Sequence, residues 1–173
     1  NQGLRALMEV NGIDKKKLSA YHIGFVMGPC LNATGRLDTA VRALQLLEAE
    51  DRGEAVRIAA DLKQLNDSRK EMTDIFVKKA VKLVEESGLG KDRVLVVYLP
   101  DCHESLAGII AGRVREKYYK PVFVLTKGEE GVKGSGRSIE TYHMFEEMTK
   151  VKQLFTKYGG HKMAAGLSLE EKD

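Results

Sequence analysis

The stretch RVLVVYL, Arg93–Leu99, is a near-continuous apolar run, which is typical of a strand buried inside a sheet. It is followed by SLAGIIAGRVREKYY, a helical pattern over Ser105–Tyr119, and then by PVFVLT, Pro121–Thr126, a second buried strand. Strand, helix and strand in this order predict an α/β body that covers residues 91–173.

Glycines interrupt the remaining strands that we predict for this body. VKGSGRSI, Val132–Ile139, is a third strand, and MAAGLSL, Met163–Leu169, is another. The segment between them, Tyr142–Tyr158, is predicted to be helical, in one or two pieces. Gly108 and Gly112 stand four residues apart in the preceding helix and therefore share a face, which indicates close packing on the sheet.

The N-terminal half of the chain is helical in pattern. GLRALMEVNG predicts a short helix, and KKKLSAYHIGFVMGP predicts a second one that stops at Gly28–Pro29. A loop, GPCLNATGRL, is expected next. Asp38 then fits the N-cap of a helix over Thr39–Glu50.

Asp51 and Glu54 have the spacing of a capping box, which predicts the start of a long amphipathic helix. No breaker follows before Gly88. Its apolar stripe comprises Ile58, Leu62, Leu65, Met72, Phe76, Ala80 and Leu83. The helix is longer than an ordinary globular helix, so we interpret residues 53–90 as a connector, although a plain core helix is an alternative. The connector would join a helical segment, residues 1–52, to the α/β body, residues 91–173.

Composition excludes several classes of protein. Of the 173 residues, 43% are hydrophobic and 31% charged, as in a soluble globular protein. Only 6% are aromatic, with no Trp, so stacking platforms for single strands are scarce. A net charge of +3 does not by itself indicate a nucleic-acid partner, and any anion site must therefore be local.

The two cysteines, Cys30 and Cys102, form no CxxC pair, which favours a reducing, cytoplasmic compartment. No segment is long and apolar enough to span a bilayer, and no signal peptide is visible. Because the chain begins inside a helical pattern with Asn1 and ends just after a strand, we expect it to be a piece of a larger protein.

Two glycine-supported segments are candidates for anion binding. In KGSGRS, Lys133–Ser138, glycines free the backbone amides, while Ser135 offers a hydroxyl and Arg137 a planar fork that matches phosphate. A glycine-kinked edge strand is the alternative. In KYGGHKMAAGLSL, Lys157–Leu169, small residues would let a ligand approach the backbone beside His161, although a tight turn into a strand explains them equally well.

Two further segments have a structural explanation that we favour from the residues alone. PCLNATGR could be a turn between helices, with a solvent-facing Arg36. DCHESLAG contains Asp101, His103 and Glu104 but lacks metal-ligand spacing, so Glu104 or Ser105 would cap a helix while His103 makes a supporting hydrogen bond. The chain has no GxSxG elbow, and its histidines do not identify a nucleophile–base pair.

Taken in order, five motifs resemble those of RecJ-type single-stranded-DNA-specific exonucleases of the DHH phosphoesterase superfamily. The motifs are PCLNATGRL, LNDSRKE, CHESLAGIIAGRVREKYYKPVFVL, KGSGRSI and YGGHKMAAGLSL. The resemblance implies a DHHA1 domain from about residue 91, with a mixed sheet flanked by helices. It also implies that the connector joins this domain to a catalytic DHH domain, whose tail would be residues 1–52. Many members have Arg where Cys30 stands, and Trp-His-x-Gly where Cys102 to Ser105 stand, so those positions receive no role.

The resemblance also implies roles for particular residues. Ser135 and Arg137, with Lys133 beside them, would hold a phosphate of the strand, the 5′ end in particular. The family's Gly-Gly-His turn would lie against the nucleic-acid backbone near the scissile phosphate, with His161 positioning the substrate; its residues here are Gly159, Gly160 and His161. The family's NAxGR motif would shape the path by which the strand enters; its matching residues are Asn32 and Arg36.

The function implied is 5′-to-3′ hydrolysis of single-stranded DNA in repair and recombination, with two manganese or magnesium ions held by an upstream domain. This chain would hold no metal, would be inactive alone, and would self-associate through its connector, where Leu62, Leu65 and Met72 would be partly bare. The alternatives are a DHH–DHHA1 phosphodiesterase of oligonucleotides or cyclic dinucleotides, and a non-catalytic nucleic-acid-binding module.

Overall fold

The computed structural model describes residues 1–37, 39–129 and 131–171, without the side chains of Arg36 and Leu37. The chain forms two compact units, residues 1–72 and 73–173, and the boundary between them falls within the long helix. Each unit has its own core and is described by itself.

The first unit is helical. Its helices are α1 (Gln2–Val10), α2 (Ala20–His22), α3 (Gly28–Leu37), α4 (Val41–Glu48) and the N-terminal part of α5 (Arg52–Glu86). A 3₁₀ turn lies at Lys15–Lys17, and a π-helical segment, Ile23–Met27, joins α2 to α3. The core is formed by buried side chains of these helices, chiefly Leu7, Met27, Leu46, Ile58 and Leu62.

The prediction that a helix stops at Gly28–Pro29 is wrong, because the chain remains helical from Ala20 to Leu37. The Gly28 N–H bonds to the Ile23 carbonyl, five residues back, so the preceding turn is widened. Pro29 then occupies the first turn of α3, where a proline costs little.

The short helices are otherwise close to their predicted positions. The predicted helix over Thr39–Glu50 is α4, and the Thr39 hydroxyl accepts a hydrogen bond from the Val41 N–H at 3.1 Å. Asp38, which we expected to cap it, lies outside the described residues.

The long helix is confirmed, since α5 runs for 35 residues. The Asp51 carboxylate accepts from the Glu54 N–H at 2.8 Å, as the capping-box spacing predicts. Two details of the apolar stripe are wrong: Leu62, expected to be partly bare, is 0% exposed, and Leu83 is 41% exposed. Val84 is buried instead of Leu83.

The second unit is a mixed α/β body with a five-stranded sheet of order β1-β2-β3-β5-β4. The strands are β1 (Leu95–Tyr98), β2 (Val122–Lys127), β3 (Val132–Arg137), β4 (Lys157–His161) and β5 (Ala164–Leu169). β1 and β2 are parallel, and the other neighbours are antiparallel. The helices are the C-terminal part of α5, α6 (Glu104–Tyr118) and α7 (Met144–Lys150), with a 3₁₀ turn at Lys152–Leu154.

The two faces of the sheet are covered differently. α6 packs on β2 and β3, whereas α7 packs on β4 and β5. Side chains alternate along β3: Gly134 and Gly136 face the core that contains Phe123 and Met144, because a Cβ at either glycine would lie within 3 Å of that core's side chains. Lys133 faces the opposite side, where it pairs with Glu104 of α6.

Candidate nucleic-acid interface

Strand register places nine residues of β3, β5 and β4 in three rows on the face of the sheet toward α6. The rows are Lys133, Ser168 and Lys157; then Ser135, Gly166 and Gly159; then Arg137, Ala164 and His161. Four of the nine are basic or histidine and none is acidic. We call these nine residues the cationic face.

The middle of the cationic face is open to close approach. A Cβ built at Gly159 would meet nothing within 4 Å, and one at Gly166 would meet only the Gly134 carbonyl at 3.8 Å. Both glycines are exposed. A ligand backbone can therefore approach β5 and β4 closely at these two glycines, next to Ser135 of β3.

Arg137 is held at the edge of α6. Its Nη1 donates to the Gly136 carbonyl at 2.7 Å, and its guanidinium lies over Gly108, where a Cβ would be 2.7 Å from Nη2. Gly108 therefore makes room for Arg137, as close packing predicted, whereas a Cβ at Gly112 would meet nothing within 4 Å. Arg115, two helical turns after Gly108, donates to the Ser138 carbonyl at 3.4 Å.

A hollow of about 370 Å³ lies at the other end of the cationic face, beside the first turn of α6. It is lined by Lys133, Ser135, Lys157 and Ser168 of the cationic face, and by Glu104 and Thr126 among others. The Lys133 Nζ lies 2.6 Å from the Glu104 carboxylate. This hollow contains both polar and cationic groups.

The Gly-Gly-His segment lies on a strand, which corrects the prediction that the helix extends through Lys157 and Tyr158. His161 ends β4, and its Nδ1 accepts from the Met163 N–H at 3.3 Å, so it also caps the hairpin turn. Gly160 pairs with Ala165, whose Cβ would lie 2.7 Å from a Cβ at Gly160. Hairpin packing thus requires the second glycine, while the first leaves the cationic face open.

Lys157 and Ser168 are polar residues of the cationic face that were not predicted from the sequence. Their row follows from the register of β4 on β5, and assigning Lys157 to a helix hid it. The segment TKYGGH contains one large apolar residue, Tyr158, so it has no alternating pattern that could have revealed a strand.

The segment Asp101–Gly108 has a structural role. His103 itself is the N-cap of α6, and its Nδ1 accepts from the Ser105 N–H at 3.3 Å, so neither Glu104 nor Ser105 caps the helix as we expected. Burial raises the pKa of the Cys102 thiol to about 11. Among the described residues, no three His, Cys, Asp or Glu side chains are grouped so as to hold a metal ion.

The remaining candidates lie in the first unit. Asn32 is exposed on α3, and Arg36 follows one turn later, with its side chain outside the described part. Cys30 is fully buried, and its thiol donates to the Val26 carbonyl at 3.3 Å, which makes it part of the core. No described helix is long and apolar enough to cross a membrane.

Comparison with known proteins identifies the class of the second unit. Residues 91–173 match the family model described as "DHHA1 domain". The matched residues include all five strands, α6 and α7, and so the whole of the cationic face.

The chain as a whole is similar to part of RecJ. It is 40% identical over 177 aligned residues to the single-stranded-DNA-specific exonuclease RecJ of Escherichia coli, covering 98% of this chain and 31% of that protein. The crystal structure of Thermus thermophilus RecJ in complex with Mg²⁺ is 32% identical, with a TM-score of 0.85 over 99% of this chain and 26% of that one. A structure of exonuclease RecJ bound to manganese gives a TM-score of 0.86 at 31% identity, over 99% of this chain and 42% of that one. The chain therefore spans less than half the length of these proteins.

Proposed function

We propose that this chain is part of a 5′-to-3′ single-stranded-DNA exonuclease of DNA repair and recombination. The observation that carries the proposal is the 40% identity to the Escherichia coli RecJ exonuclease over 98% of the chain. In that enzyme, the cationic face would bind the DNA backbone and position it for hydrolysis elsewhere in the protein.

The geometry of the cationic face supports this role. Ser135 and Arg137 stand two residues apart on β3, and His161 shares the Arg137 row two strands away, at about 10 Å between Cα atoms. An extended arginine side chain can cover much of that distance. We infer that Ser135 and Arg137 hold a phosphate, with Lys133 beside them, and that His161 and Gly159 contact the neighbouring backbone.

Divalent metals belong to the complete enzyme in this proposal. The Thermus thermophilus RecJ crystal structures are complexes with Mg²⁺ and with Mn²⁺. The described residues of this chain contain no group that fits such an ion. We therefore assign to this chain the positioning of substrate and the neutralisation of phosphate charge, and no step at a metal.

Domain roles follow from the same proposal. Residues 1–52 would be the tail of the catalytic domain, residues 53–90 the connector and residues 91–173 the DNA-binding DHHA1 domain. Asn32 and Arg36 would contact the strand from the first of these parts.

The test is the Arg137→Ala variant of the complete enzyme, assayed on 5′-phosphorylated, 3′-labelled single strands. Loss of a charge-assisted contact to phosphate costs about 1.5–3 kcal/mol, so we expect kcat/KM to fall by roughly 10- to 150-fold. Arg113→Ala is the matched control, because Arg113 is exposed on α6. Arg115 is unsuitable as a control, because its guanidinium donates to the Ser138 carbonyl at 3.4 Å.

Equal kinetics for the Arg137 and Arg113 variants would contradict the phosphate role. Preference of the complete enzyme for cyclic dinucleotides or very short oligonucleotides over long single strands would favour the related phosphodiesterases. Binding without any hydrolysis would favour a non-catalytic module.

A further inference from the structure

The head groups of Lys133 and Arg137 are held at separate points of the cationic face, since the Lys133 Nζ lies 2.6 Å from the Glu104 carboxylate while the Arg137 guanidinium lies over Gly108 and bonds to the Gly136 carbonyl. Lys133 and Arg137 are four residues apart on β3, which corresponds to about 13 Å along a strand. A phosphate in contact with Arg137 and Ser135 therefore leaves the lysine row available to a different anion.

That row is built from three polar side chains on adjacent strands. Ser168 of β5 lies directly between Lys133 of β3 and Lys157 of β4. All three line the hollow of about 370 Å³ beside α6. Lys157 is exposed and has no ion pair or side-chain hydrogen bond within the described ranges 1–37, 39–129 and 131–171.

The hollow also contains one opposing charge. Glu104 lies at the start of α6, and its carboxylate is 2.6 Å from the Lys133 Nζ. The two side chains are about half exposed, at 45% and 48%, so water screens their attraction and the pair is weak. An incoming phosphate would have to compete with Glu104 for Lys133, whereas Lys157 has no such competitor.

We propose that Lys157, Ser168 and Lys133 form a second phosphate subsite on the cationic face, and that Glu104 opposes binding there by pairing with Lys133. The ligand is an oligonucleotide backbone long enough to place one phosphate at Arg137 and another at the lysine row. This inference rests on the proposed function, because it assumes that a nucleic-acid strand crosses the cationic face.

Binding of a 5′-phosphorylated, 3′-fluorescein-labelled oligo(dT) 12-mer to the 173-residue chain tests the subsite by fluorescence anisotropy, from 20 to 200 mM salt. We expect Lys157→Gln to weaken binding by about three- to tenfold. We also expect the slope of log affinity against log salt to become shallower by about 0.7, the value for one lost phosphate contact on a single strand. Glu104→Gln should tighten binding about two- to fivefold, because it removes the carboxylate charge that pairs with Lys133.

The matched control is Lys127→Gln. Lys127 is an exposed lysine of the same sheet, but it pairs with Val132 and so faces the opposite side from Lys133. Its substitution should change neither the affinity nor the salt slope. Thermal melts check that each variant folds like the unmodified chain.

The outcomes separate this inference from the proposed function. If Arg137→Gln weakens binding while Lys157→Gln behaves like Lys127→Gln, the second subsite is wrong and the proposed function stands. If neither variant changes binding, or the unmodified chain does not bind the 12-mer at 20 mM salt, the second subsite and the phosphate-binding role proposed for the cationic face are both overturned. Weaker or unchanged binding by Glu104→Gln overturns the opposing role of that carboxylate.

Discussion

Arg137 depends on a residue that stands 29 positions away in the sequence. Its guanidinium lies over Gly108 of α6, where a Cβ would be 2.7 Å from Nη2 and 3.2 Å from Cζ. A single methyl group at position 108 would therefore displace the far end of the arginine without touching the strand that holds it. The two glycines of α6 allow this dependence to be tested, because a Cβ at Gly112 would meet nothing within 4 Å.

We expect Gly108→Ala to weaken DNA binding and Gly112→Ala to leave it unchanged, while Gly112→Ala stabilises the chain more than Gly108→Ala does. Alanine is favoured over glycine inside a helix by about 0.5–1 kcal/mol, so Gly112→Ala should raise the free energy of unfolding by that amount. Gly108→Ala should gain less, because Arg137 must move, and it should weaken binding of 5′-phosphorylated single strands several-fold. Urea unfolding and anisotropy on the 173-residue chain measure both quantities.

Gly112→Ala is the control for helix propensity in that comparison. Equal DNA affinity for the two alanine variants would show that the position of the Arg137 guanidinium over Gly108 does not matter for binding.

At the scale of elements, the β4–β5 hairpin separates two glycines that are adjacent in sequence. Gly159 belongs to the cationic face and has open space where a side chain would be. Gly160 turns toward its own hairpin partner, and a Cβ there would lie 2.5 Å from the Ala164 carbonyl oxygen and 2.6 Å from the Ala165 Cα. The first glycine keeps a surface clear, and the second allows two strands to pair.

We therefore expect Gly160→Ala to lower the stability of the chain and Gly159→Ala to lower its affinity for DNA. Gly160→Ala forces a contact with backbone that cannot move aside, and we expect it to destabilise the chain by about 1–3 kcal/mol. Gly159→Ala should leave the free energy of unfolding unchanged or slightly higher, but should lower DNA affinity because its methyl group stands on the cationic face.

Thermal unfolding with anisotropy at 20 °C, well below the melting transition, distinguishes the two effects. A Gly159→Ala variant that melts early and binds normally would reverse the assignment of these two glycines.

The elements themselves were partly predictable. Buried strands such as Leu95–Tyr98 and the long helix Arg52–Glu86 have strong apolar patterns, and their positions follow from local sequence. The strand Lys157–His161 was missed, because it is an edge strand that is specified by pairing with β5. The break expected at Gly28–Pro29 failed because a π-helical turn accommodates the proline.

The candidate site was also only partly predictable from the sequence. The glycines next to Ser135, Arg137 and His161 identified these residues as candidates for anion binding, and the family resemblance implied that all three contact the nucleic-acid backbone. Their common face, however, follows from the register of three strands, two of which are far apart in the chain. The lysine row could not be derived without β4.

At the scale of the whole molecule, the cationic face would allow the proposed binding of a polyanion by a chain with a net charge of only +3. Its basic residues are gathered on β3 and β4, on either side of β5, and its three rows contain no acid, while other charges are used in surface pairs such as Lys117 with Glu85 and Lys63 with Asp67. In the latter, the Lys63 ammonium lowers the pKa of the Asp67 carboxyl. Affinity should thus depend on a local patch and weaken with salt.

Self-association through residues 53–87 stays a prediction, and of the three apolar residues expected to be partly bare only Leu65 and Met72 can still contribute. Leu62 is buried in the core of the first unit and cannot contribute. Leu65 and Met72 are half-buried.

The final prediction is that the 173-residue chain binds single-stranded DNA but does not hydrolyse it. Binding requires only the cationic face, and raising the salt should weaken it because phosphate contacts release counterions. Hydrolysis of this kind requires divalent ions held by several oxygen or nitrogen ligands, and the described residues include no such group. Incubation with 5′-phosphorylated single strands and manganese or magnesium should therefore release no mononucleotides. The control is the complete enzyme under identical conditions, which should degrade the same strands. Release of mononucleotides in proportion to the concentration of the 173-residue chain, abolished by His161→Ala, would place the catalytic centre within this chain and contradict its assignment to the rest of the protein.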